Sequence, residues 1–193
     1  MNFLRKLALT AFGTSVLIAI SSTAASATTL EVGGVKQNGA VLVEASLTSG
    51  TSMTIKDTNN VLVDTCTGSS LKGTTGSPFT GSTVTAALST LSFTSCSHKT
   101  TVLKAGTLHF TWSSGTNATV SSSGAEITIE TTAFGISAIC KTGTGTNLGT
   151  LTGKASDHAI IDINAVLKCG LADTKVWTAT YTVTSPTGLG VVS

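Results

Sequence analysis

Between residues 158 and 169 the chain alternates apolar and polar residues with a period of two, and no other stretch constrains the fold as tightly. Ala159, Ile161, Ile163, Ala165, Leu167 and Cys169 fall on one face of an extended segment. His158, Ile160, Asp162, Asn164, Val166 and Lys168 fall on the other. Successive side chains of a strand point to opposite sides, whereas a helix would scatter the apolar set around its circumference. The segment is therefore expected to be a strand with one buried face.

Shorter runs of the same kind lie at 41–47, 62–66, 88–93, 101–112, 125–129, 134–140 and 176–183, separated by clusters of Gly, Ser, Thr and Asn that supply turns. Eight or more strands with no sustained 3.6-residue period predict an all-β fold, an antiparallel sandwich or barrel-like domain with minimal helix. The Thr-rich faces agree with this, since threonine favours strands and tolerates solvent on one side.

The first 27 residues read differently. Arg5 and Lys6 form a short basic region, Leu7 to Ile20 an apolar one, and Ala25-Ser26-Ala27 a small-residue cleavage site, so 1–27 is expected to be a secretory signal peptide and 28–193 a single secreted domain. The apolar run is shorter than the roughly 18 to 20 residues a membrane span requires, so no transmembrane anchor is expected. The net charge of +2 comes from eleven Lys and Arg against nine Asp and Glu; without Arg5 and Lys6 the two counts are equal. A formally neutral domain has no field with which to attract nucleic acid, which is not expected as a partner.

An exported chain meets an oxidising compartment, and its four cysteines are expected to pair. Three pairings are open in principle. A weak internal echo favours one of them. Cys66 precedes Cys96 by thirty residues and Cys140 precedes Cys169 by twenty-nine, with an aromatic strand after each second cysteine, so 62–113 and 136–185 read as a pseudo-repeat with Cys66–Cys96 and Cys140–Cys169 bridges. No short Cys or His spacing suggests a metal.

Few patterns in the chain carry chemistry. Gly135-Ile-Ser137 resembles a nucleophile elbow without its second glycine, and it sits inside a strand pattern. Gly143, Gly145 and Gly149 fit no dinucleotide fingerprint and are read as a flexible loop. His158 and Asp162 share a strand face but would stand about 13 Å apart, too far for a base and its orienting carboxylate. His98 falls in a turn and His109 in a strand. No catalytic residue, metal or cofactor is expected. Trp112, Trp177 and Tyr181 are the candidate ligand-stacking residues, with Trp177 stepping in register with Ala179, Tyr181 and Val183 as a core residue would, and Trp112 bordering a polar turn.

The signal peptide, the Leu62-Val-Asp-Thr-Cys66 and Leu91-Ser-Phe93-Thr-Ser-Cys96 strands, the second cysteine pair and the strand Ala179-Thr-Tyr-Thr-Val183 together resemble the secreted activators of alkane oxidation, the PraB-like family. The resemblance spans the mature chain apart from 28–60 and 187–193. It implies an extracellular, non-enzymatic β-protein associated with the cell surface or biofilm matrix, or one aiding contact with hydrophobic substrates. Strand edges poor in lysine suggest self-association. Two alternatives belong to other classes: a carbohydrate-binding module stacking sugars on its aromatic residues, and a secreted hydrolase built around His158 or His109.

Overall fold

A computed structural model describes residues 27–131, 136–170 and 173–193, so the expected signal peptide and its cleavage site lie outside the described residues except for Ala27. Among these described residues fifteen strands account for the regular structure. They are β1 (Thr29–Val32), β2 (Val35–Lys36), β3 (Leu42–Leu47), β4 (Met53–Asp57), β5 (Leu62–Thr75), β6 (Thr83–Cys96), β7 (Thr100–Lys104), β8 (Thr107–Ser114), β9 (Asn117–Ser123), β10 (Glu126–Thr131), β11 (Ile136–Lys141), β12 (Thr146–Thr152), β13 (Ile160–Cys169), β14 (Asp173–Ser185) and β15 (Leu189–Val192). All the ladders are antiparallel. The fold is all-β, as the alternating patterns require.

Of the two architectures the sequence allowed, the chain adopts the barrel. Strands β4, β5, β6, β8, β9, β12 and β13 pair in that order, and β14 closes the ring by pairing with both β13 and β4. Strand β3 lies end to end with β4 in the same position of the wall, since both pair with β5 on one side and β14 on the other. Residues 48–52 form the break between them. Closure through β14 removes most of the edge that a flat sheet would leave, and eight strands give an interior that side chains can fill.

The alternation read at 158–169 is realised residue by residue: Ile161, Ile163, Ala165, Leu167 and Cys169 are buried, while Asp162, Asn164, Val166 and Lys168 are exposed. In β14 the buried set is Trp177, Ala179, Tyr181 and Val183, and Thr178, Thr180 and Thr182 stand outside. These outer threonines bond across strands, Thr54 with Thr178 at 2.6 Å and Thr48 with Thr182 at 2.8 Å. These hydroxyl pairs tie the wall alongside the Lys72–Glu44 ion pair, 2.6 Å, between β5 and β3.

The two ends of the barrel are built differently. At one end β15, β1 and β2 form a three-stranded cap whose Leu30, Leu189 and Val191 are buried, and Thr116 C=O accepts the Val191 N–H at 3.0 Å. At the other end both disulfides bridge directly paired neighbours, Cys66 on β5 with Cys96 on β6 and Cys140 on β11 with Cys169 on β13. Their Cα separations are 3.8 and 4.0 Å. This is the pairing the internal echo favoured.

One reading of the loops needs correction. Gly143 and Gly145 lie between strands, but Gly149 is inside β12, where the register shifts against β9. Its φ is +148°, and a Cβ there would fall 1.9 Å from the Asp162 carbonyl oxygen of β13. Glycine at this point lets two backbones approach, which is a packing role that composition made look like looseness.

Candidate functional site

The run read as one strand over 101–112 is two, β7 and β8, broken at Ala105-Gly106. Gly106 has φ +78°, and a Cβ on it would stand 2.6 Å from Ala125 N and 2.7 Å from Ser123 O, so neither the backbone conformation nor the space admits a side chain. The neighbouring chain breaks at the same level, between β9 and β10, and the next one between β11 and β12. Strands β7, β10 and β11 therefore form a three-stranded arm that joins the barrel through β11 and β13. Its free edge is β7.

This leaves a slit in the wall. Strand β6 pairs with β8 from Thr83 to Ala87, and the Leu88 N–H donates to Gly106 O at 3.0 Å, but no ladder joins the remainder of β6 to β7. Leu88, Leu91 and Phe93 stand half-buried along this margin and face an interior formed by Ile127, Leu167 and Trp177. Two apolar voids of about 20 Å³ each lie there, and Trp177 lines both. Phe93 meets Trp177 edge to face, with ring centroids 6.1 Å apart.

The far end of the slit is a turn held by one carboxylate. Asp64 has no solvent exposure, and its Oδ1 accepts from Thr65 N–H at 2.8 Å, the Ser97 hydroxyl at 2.8 Å and His98 N–H at 2.9 Å, while Oδ2 accepts from the Thr100 hydroxyl. Burial works to raise its pKa, yet the bonds from Thr100, His98, Ser97 and Thr65 outweigh it and hold the carboxyl below its ordinary value of 3.8. Ser97, His98 and Asp64 do not make a catalytic relay. The serine hydroxyl donates to the carboxylate itself, and His98 Nδ1 is 3.8 Å from that same oxygen. Asp64, Cys66 and Cys96 also cluster as metal ligands would, but the sulfurs are committed to the disulfide.

The other histidines are anchored structurally. His158 Nδ1 lies 2.7 Å from Val183 O, and the carboxylate of Asp162 takes the Thr180 hydroxyl at 2.9 Å instead. His109 Nε2 lies 2.8 Å from Ser123 Oγ on the next strand, with no carboxylate bonded to either among the described residues. Ser137 is within β11, and Gly135 lies outside the described residues.

The three aromatic residues do not share a surface. Trp177 is 7 % exposed and Tyr181 0 %, whereas Trp112 is 39 % exposed and its indole N–H donates to Gly115 O at 2.9 Å. Trp177 and Tyr181 point inward because they share the face of Ala179 and Val183, so a stacking platform of all three is not formed. Tyr181 belongs to an interior polar bridge. Ser69 Oγ donates its single proton to Ser92 O at 2.8 Å, so the Tyr181 hydroxyl, 2.8 Å from Ser69 Oγ, is the donor in that bond. Burial, partly offset by Ser69, pushes the phenol pKa up to about 12.

No protein-family model, no curated protein and no solved structure matches the chain. Function must be argued from the barrel itself. Among the described residues no helix is long and apolar enough to cross a membrane, a statement that does not bear on strands.

Proposed function

We propose that the chain is an exported, non-enzymatic protein of the cell surface or extracellular matrix that acts by contact, through self-association and adhesion to hydrophobic material. The observation that carries this reading is the margin of the slit. Residues 89–96 of β6 present an unpaired backbone edge made of Ser, Thr, Leu, Phe and Cys without a single charge, which is the kind of edge that pairs with another chain. The opposite edge, β7, carries charge only at its ends, where Lys99 pairs with Glu130 and Lys104 with Glu126, and its Leu103 is 50 % exposed. Two disulfides suit an oxidising compartment, and the resemblance to the PraB-like proteins points the same way.

Sedimentation of residues 28–193 across a wide concentration range tests the proposal, together with partition of the protein onto cells and alkane droplets. Concentration-dependent association, weakened in Leu103→Lys, is expected. A domain that stayed monomeric at millimolar concentration and bound neither cells nor droplets would end it.

A further inference from the structure

Among the described residues one buried side-chain polar atom is not used by the fold. Trp177 Nε1 is buried and has no hydrogen-bond partner among the described residues. A buried donor left unpaired is unfavourable, and the other polar groups at this level are satisfied: Tyr181 by Ser69, Thr142 by Ala125 N–H and Ser122, and Asp64 by four donors. The exception is the residue that walls both voids. Everything else lining the first void besides Thr142 and Lys141 is apolar, and the Lys141 ammonium is drawn away toward Glu126 at 3.3 Å with its side chain 55 % exposed. An anion would find no counter-charge inside.

From this we infer that the disulfide end of the barrel is a binding site for a small uncharged molecule, mostly apolar, with a single carbonyl acceptor (a ketone, aldehyde or ester) whose oxygen takes the Trp177 indole proton. Eight-stranded barrels of this kind are either filled by side chains or hold one small ligand. The cap end here is filled, with Val84, Phe110, Val120, Leu151, Ile161 and Val183 fully buried. The disulfide end also buries Met53 and Ile55 completely but keeps the two voids beside Trp177. Its voids are too small for such a guest as they stand, and the side chains that must give way are Leu88, Leu91 and Phe93. These three are half-buried and stand at the slit, where no backbone ladder has to break for them to move.

The two tryptophans of the chain give two indole N–H resonances in a ¹⁵N-labelled sample, and Trp112, already bonded to Gly115 O, is the internal reference. The probes are 2-hexanone and its isostere 2-methyl-1-hexene, in which a methylidene group replaces the oxygen. We expect a saturable downfield shift of the Trp177 N–H with the ketone alone, and about tenfold tighter binding of the ketone than of the alkene. Trp177→Phe should abolish that preference while the Trp112 resonance reports an intact fold. Leu91→Ala, which enlarges the void without touching the indole, should bind the ketone more tightly with the Trp177 shift retained. No saturable shift at Trp177, equal affinity for the two probes, a preference surviving in Trp177→Phe, or unchanged or weaker ketone binding in Leu91→Ala would each overturn the assignment. None of these outcomes depends on whether the protein self-associates or adheres to cells.

Discussion

The Ser69–Tyr181 bridge makes two substitutions unequal in a way that only its donor direction explains. In Tyr181→Phe the ring keeps its packing, and Ser69 keeps the bond in which it donates to Ser92 O, so only one neutral hydrogen bond is lost. The expected destabilisation is about 0.5–1.5 kcal/mol. Ser69→Ala instead leaves a phenol hydroxyl, on a residue with no solvent exposure, without its acceptor, and the expected loss is about 1–3 kcal/mol. Urea unfolding of both variants followed by near-ultraviolet circular dichroism measures the difference. Because Tyr181 is the one tyrosine of the chain, absorbance at 295 nm reads its ionisation without interference. Its folded pKa, raised to about 12 from 10, means that the neutral phenol stabilises the fold fully below pH 10 and that this contribution is lost as pH rises from 10 through 12. Across that window wild type should lose about 2–3 kcal/mol more than Tyr181→Phe. A phenol titrating near 10 in the folded protein would refute the burial, and a Tyr181→Phe variant less stable than Ser69→Ala would refute the donor assignment.

Three further perturbations follow from the same geometry. Replacing Cys140 and Cys169 together by Ala should lower stability by roughly 3–4 kcal/mol in urea, the loop-closure contribution for a loop of this length. Asp64→Asn should cost about 1–3 kcal/mol at pH 7. Since the folded pKa of Asp64 lies below 3.8, its contribution is present above that value and is lost as pH falls through the lower folded value, so the gap between wild type and variant should close in acid-titrated thermal melts. Gly106→Ala should destabilise by about 1–3 kcal/mol through strain at φ +78° and the clash with Ala125, and amide exchange in β7 should accelerate with it.

Much of the wall was legible because its signal is local. The alternation at 158–169 and the step of Trp177 with Ala179, Tyr181 and Val183 fixed which faces turn inward. Strands β9 and β12 were missed because Asn117-Ala-Thr-Val-Ser-Ser-Ser and Thr146-Asn-Leu-Gly-Thr-Leu-Thr are as rich in turn-forming residues as the loops beside them. They become strands through partners: Phe110 opposite Val120, and Leu151 opposite both Ala118 and Ile161. Closure was illegible for the same reason, since it depends on β14 meeting β4 across more than a hundred residues. Asp64 carried a readable sign. It stands two residues before Cys66, a spacing that puts both on one strand face, and a charge sharing the face of a disulfide cysteine must find donors inside. The orphaned Trp177 N–H had no such sign, because the partner it lacks is a fact of three dimensions.

The two disulfides and the Asp64 turn acquire a joint meaning when the slit is considered as a whole. Cys66–Cys96 ties the end of β6 to β5, and Cys140–Cys169 ties β11, the root of the arm, to β13. Asp64 on β5 holds Ser97, His98 and Thr100 where β6 turns into β7. Both margins of the slit are therefore fastened to the barrel outside the slit, while no ladder spans the gap between the Leu88–Gly106 hydrogen bond and the Asp64 turn. If the arm were to close onto β6, a ladder would form and the wall would be complete; the Gly106 break and its neighbours turn the arm at the level where that ladder ends. A chain that needed only a stable neutral barrel would gain from continuing the β6–β8 pairing to the Cys96 turn. Its staples instead fasten the two margins separately, and the half-buried Leu88, Leu91 and Phe93 line the opening next to the unpaired indole N–H.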